Sequence, residues 1–280
     1  MSLITDNKRN GENRPNETHK GQPPDLKSLI YYHRAYRKIP DAGRYILLKY
    51  LILIAPFLVA VLLVYPDLTL IMSKFAKYTL MSSSSDSIEI LNKPYMLRNI
   101  YLLVPPTKYP SPLFTYIIFL FSLSGIVLTT RKIKIAKPIA LWIAFLSSIN
   151  LLSSIFFILA PTLFPYNAGE FSDLYIKTQI NIWLFIPVIM GMTLLPLPSG
   201  YLPKFLVISA TLLYSIIFGV VRYGVFLYTI AKFSLLFMPV LFFNFGPLMD
   251  FFYIVSGYSL YVSILSKKTG RDIKVWNWSY

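Results

Sequence analysis

YILLKYLILIAPFLVAVLLV, residues 45–64, runs for twenty residues with a single charge, Lys49, about one turn from its start. A helix of that length rises about 30 Å, the thickness of the hydrocarbon core of a bilayer. Lys49 is close enough to the end for its stem to carry the ammonium to the interface. Five further apolar stretches follow, at about 113–130, 139–160, 181–197, 205–230 and somewhere within 233–265. A soluble core accounts for one or two such runs, but not for six. The fold class is therefore all-α: a polytopic integral membrane helical bundle of about six transmembrane helices.

The composition agrees. Charged residues are 14% of the chain, hydrophobic residues 55%, and the mean hydropathy is +0.57. A soluble domain carries about 25% charged residues, so the deficit separates the two classes. Residues 1–44 read as a basic cytoplasmic tail, with 45–265 as the transmembrane domain and 266–280 as a basic cytoplasmic C-terminal tail. The first 27 or so residues are polar and rich in Asn, Gly and Pro, and are expected to be disordered. Tyr31, Tyr32, Arg34, Tyr36, Arg37 and Lys38 then interleave aromatics with cations, which suits the headgroup level.

Charge placement sets the expected orientation. With the N-terminus inside, one side holds eighteen Lys and Arg: nine before residue 45, then Arg131, Lys132, Lys134, Lys137, Lys204, Lys267, Lys268, Arg271 and Lys274. The other side holds eight: Lys74, Lys77, Lys93, Arg98, Lys108, Lys177, Arg222 and Lys232. The positive-inside rule then puts both termini in the cytoplasm, and a bacterial inner membrane is the expected location. The same rule explains the formal charge of +15 through loops beside anionic headgroups, so nucleic acid is not expected as a partner.

Within the spans, Pro56, Pro187, Pro239 and Pro247 mark kinks. The last stretch is too long for one straight crossing, and Asn244-Phe245-Gly246-Pro247 breaks it; one span plus a re-entrant or interfacial piece is expected. The long outer loop at 65–112 holds Leu68, Ile71, Met72 and Phe75 at helical spacing, with Ser73, Lys74 and Lys77 opposite. That pattern predicts a separate short helix lying on the outer leaflet. Ser82–Ser85 and their neighbours read as a flexible link. Asn167 and Glu170 have capping-box spacing, so the fourth span should continue a helix that starts there.

Chemistry is sparse. The chain has no Cys, and its two His, His19 and His33, precede the first span, so neither metal nor cofactor is expected. No phosphate-binding Gly-rich loop, zinc-protease helix or G-x-S-x-G occurs. Arg222, Asp250 and Gly257 loosely echo the late region of exosortase-like transpeptidases, but that chemistry needs a Cys nucleophile and a His where Asp250 stands.

Two pairs remain as candidates. Arg222 and Asp250 are opposite charges inside apolar stretches, where a charge needs a partner or a water-filled cavity. They are expected to meet between helices, as an ion pair or as ligands for a headgroup or proton. Glu170 and Asp173, on one helix face of an outer loop, could form an acid pair for glycosyl or phosphate chemistry, or simply complement the helix dipole. Asn150 and Asn181 suit interhelical hydrogen bonds, and Trp142, Trp183, Trp276 and Trp278 suit interfacial belts. With no nucleophile or nucleotide site, the expected function is a non-catalytic component or assembly partner of a membrane complex in envelope biogenesis or export. Its expected partners are anionic lipid headgroups and other membrane proteins. The rivals are a small-solute or lipid transporter using Arg222 and Asp250, and a lipid-linked transferase using Glu170 and Asp173.

Overall fold

The structure is a computed structural model that describes residues 45–81, 88–130, 136–197 and 199–269. The expected N-terminal tail, the link at 82–87 and the chain beyond 269 lie outside the described residues. Helices dominate: α1 (Ile46–Met81), α2 (Pro112–Thr130), α3 (Lys137–Leu159), α4 (Ala168–Leu194), α5 (Tyr201–Lys232), α6 (Met238–Phe245) and α7 (Pro247–Thr269). Six stretches are long and apolar enough to cross a membrane, the last being Leu235–Lys267, so the chain is a multi-pass integral membrane protein.

Two of the helices depart from the expected boundaries. The separate leaflet helix does not exist: α1 continues unbroken for 36 residues through Pro66 to Met81. The physical reason is a different buried face. Tyr65, Thr69, Met72, Ser73, Ala76 and Leu80 are buried, while Ile71 and Phe75 are exposed. Ser73, placed by its polarity on the outer face, donates instead to Tyr101 O at 2.7 Å. The partner surface is an antiparallel hairpin of β1 (Glu89–Tyr95) and β2 (Arg98–Val104), which occupies the middle of the stretch read as a loop.

Contacts at both ends give the helix directions. Phe57 stacks near Phe205 with ring centroids 4.5 Å apart, and Phe75 lies against Gly224, so α1 and α5 run parallel. Between them α4 runs the other way. Tyr50 Oη donates to Val188 O at 3.0 Å near one end, and Ser172 Oγ lies 2.5 Å from Tyr223 Oη near the other. The core follows α4 through Phe171, Ile176, Ile180, Trp183, Ile186 and Met190, all at most 1% exposed. Trp183 is thus a core residue and not part of an interfacial belt.

Helices α2 and α3 form a hairpin in which α2 buries only Thr115 and Ser122. Gly125 abuts Ser147 there, the close backbone approach that small residues allow when lipid, as apolar as the helices themselves, provides no hydrophobic drive. The last span is discontinuous. After a short 3-10 turn (Leu235–Phe237), α6 stops at Phe245 and α7 begins at Pro247. Among the described residues the stretch is an interrupted run of two helices with the break at Gly246, the position where the sequence places it. Pro247 has no N–H to donate and suits the first position of a new helix.

Candidate functional site

The broken span and α5 meet at Arg222. A guanidinium carries five N–H donors, and each has an acceptor here. Nε donates to Tyr175 Oη at 2.8 Å, and Nη1 donates to Phe245 O at 3.0 Å and Gly246 O at 3.1 Å. Nη2 donates to Gln179 Oε1 at 2.6 Å and to Asp250 Oδ2 at 3.0 Å. The structure thus brings Arg222 and Asp250 together, at 5% and 2% exposure. Their ion pair also places Oδ1 at 3.0 Å from Nη2, although Oδ1 accepts no hydrogen bond among the described residues. The rings of Tyr175 and Phe218 lie 5.5 Å and 5.1 Å from the guanidinium carbon, adding cation–π attraction in a dry setting.

Each partner is held by its own element. Tyr175 and Gln179 are one turn apart on α4, so they share a face. Gly219 of α5 leaves room for the Gln179 amide, which a β-carbon would approach to 3.0 Å. Tyr175 Oη in turn donates to Gly219 O at 3.2 Å. From Gln179 the polar chain runs on, with Nε2 donating to Ser215 Oγ at 3.4 Å and that hydroxyl 2.6 Å from Tyr253 Oη. The helix break supplies the carbonyls. At Gly246 a β-carbon would overlap the backbone oxygen of Phe242, so only glycine follows this path. Asp250 then falls in the first turn of α7, where an acidic side chain complements the helix dipole.

Sequence reading found the charged pair but missed Tyr175, Gln179 and the two carbonyls. A signal for Gln179 existed, since an uncharged polar side chain in an apolar helix needs a partner. The break at 244–247 signals freed carbonyls, but nothing local signals that Arg222 takes those of Phe245 and Gly246.

The acidic pair lies elsewhere, on the first turns of α4. Glu170 is consumed by the helix cap: its Oε2 accepts from Asn167 N at 2.9 Å, while Asn167 Oδ1 accepts from Glu170 N at 2.8 Å. Asp173 Oδ2 accepts from Lys93 Nζ at 2.6 Å and Lys177 Nζ at 2.9 Å. Both residues border a cleft of about 450 Å³ between α4 and the hairpin. One carboxylate caps a helix and the other tethers the hairpin to it.

Asn181 Oδ1 accepts from Tyr95 Oη at 3.2 Å, joining α4 to the hairpin instead of to another helix. Asn150, 8% exposed, has an Oδ1 with no hydrogen-bond partner among the described residues. Among the described residues no three His, Asp or Glu side chains gather in a way that would hold a metal ion. No family model, curated protein or solved structure matches the chain.

Proposed function

We propose that this chain is a non-catalytic component of a membrane complex, an assembly partner in envelope biogenesis or export, set in a bacterial cytoplasmic membrane. The observation that carries the reading is the saturation of Arg222. All five donors are spent inside the bundle, three of them on Gln179 and the carbonyls of a broken helix. A guanidinium used for binding keeps donors for its ligand; this one ties α4, α5 and the α6–α7 junction together. Glu170 is spent on the helix cap and Asp173 Oδ2 on two lysines, which weakens the transferase reading, although Asp173 Oδ1 accepts no hydrogen bond among the described residues. A transporter remains the rival because Asp250 Oδ1 accepts no hydrogen bond among the described residues.

Gentle extraction from native membranes tests the proposal. On a native gel the tagged 32.2 kDa chain should migrate in a stable assembly with other chains. Migration as the isolated chain, together with uptake of a solute or lipid by vesicles holding the purified protein, would favour the transporter.

The eighteen-to-eight asymmetry of Lys and Arg supports an orientation with both termini in the cytoplasm. A reporter active only in the cytoplasm should work when fused after Tyr280 and be silent when inserted near Ser84. Activity at both positions, or at Ser84 alone, would reverse or break this topology.

A further inference from the structure

The hairpin turns through Met96 and Leu97, with Tyr95 and Arg98 paired as the last rung of the ladder. Two-residue turns of this kind favour Gly, Asn or Asp, because at least one residue must adopt a positive φ. Here Met96 holds φ at +50°, the only such non-glycine among the described residues, in a region that side chains enter under strain. Met96 and Leu97 are also 52% and 77% exposed. The turn therefore accepts backbone strain to present two large apolar side chains, the reverse of what water would favour at a hairpin tip.

Its position says what covers it. Tyr65 Oη donates to Tyr95 O at 2.7 Å and accepts from Arg98 N at 2.6 Å, fixing the tip against α1. Arg98 Nη1 donates to Leu63 O at 3.3 Å. Leu63 lies seventeen residues beyond the start of α1, about 26 Å along its axis and so near the end of one hydrocarbon thickness. Leu63 and Val64, 54% and 44% exposed, belong to the outward apolar surface of that segment, at the level of α1 that Arg98 reaches. Around the tip stand Arg98, Lys93 and Lys177, the last 5.7 Å from the centre of the Tyr95 ring; Lys93 and Lys177 share the carboxylate of Asp173, and Arg98 pairs with no carboxylate among the described residues. Apolar side chains at the tip with cations just behind them match the layered chemistry of an anionic membrane surface.

We propose that the turn from Tyr95 to Arg98 dips into the lipid headgroup layer, with Met96 and Leu97 against acyl carbon and Arg98 on a lipid phosphate. This contact is independent of the assembly role.

The absence of Cys makes the test direct. Full-length Leu97→Cys and Asn92→Cys variants, each labelled with a small fluorophore, are placed in vesicles of phosphatidylcholine with phosphatidylglycerol. The label at 97 should be quenched strongly by doxyl-lipid and weakly by iodide in the water, and the label at the exposed Asn92 the reverse; Met96→Cys should report as 97 does. Iodide quenching at 97 equal to that at 92 would overturn the contact. Shielding from both quenchers would also overturn it, by showing that protein covers the tip. Quenching by doxyl-lipid at 97 should rise when phosphatidylglycerol is added, and Arg98→Gln should abolish the rise. No rise with Arg98 in place would remove the phosphate from the proposal.

Discussion

Asp250→Asn and Arg222→Gln should each lower the melting temperature of the detergent-solubilised protein more than any surface change. Removing one member of a buried ion pair strands the other and costs about 3–5 kcal/mol. The two losses should not be equal. Asn keeps an oxygen for Nη2, whereas Gln cannot reach Tyr175, Gln179, Asp250 and the carbonyls of Phe245 and Gly246 together. Arg222→Gln is therefore the more damaging. The double variant should recover part of the loss of folded yield, because neither charge is left unpaired, yet remain below the parent because the carbonyls lose their donor. Losses that simply add across the three variants would mean that the two side chains are not coupled. The cycle also bears on function. As a component of an assembly, the double variant should retain native-gel migration in proportion to its folded amount; a transporter would fold and still fail.

Gly246→Ala should be the most damaging single-methyl change in the described chain. The added carbon meets the backbone oxygen of Phe242, which no rotamer change can move aside. The junction must then shift, taking with it the two carbonyls that Arg222 holds, and a loss of about 3 kcal/mol or more is expected. Gly125→Ala also meets a crowded neighbour, but there it is the hydroxyl of Ser147, the end of a side chain that can rotate. Gly200→Ala meets nothing nearer than Pro203 Cδ at 3.8 Å and should change stability by no more than about 0.5 kcal/mol. Thermal melting of the three variants in one detergent checks the order. A Gly246→Ala protein as stable as Gly200→Ala would mean that the break does not follow this backbone path.

The number of spans, the position of the break at 244–247 and the opposite charges at Arg222 and Asp250 were legible without coordinates. So was the Asn167–Glu170 cap, which needs only residues three apart. The hairpin was not legible. Its turn is Met96-Leu97 in place of a turn-forming pair, and Pro94 stands within β1, where a proline argues against a strand. The continuation of α1 past Val64 was hidden for a related reason. Ser73 looks outward-facing by polarity, but its hydroxyl, like that of Thr69, serves the backbone of Tyr101, a partner 28 and 32 residues away.

What the sequence by itself determined is the class and the number of spans, because hydrophobic length is summed over neighbours along the chain. What only the tertiary structure decided is which polar groups face one another. That depends on the rotational phase of α4 against α5, on the path of the backbone at Gly246, and on the hairpin that stands beside α1. None of these is a local property. Arg222 needed five acceptors, and the chain supplies them from residues between 23 and 47 positions away.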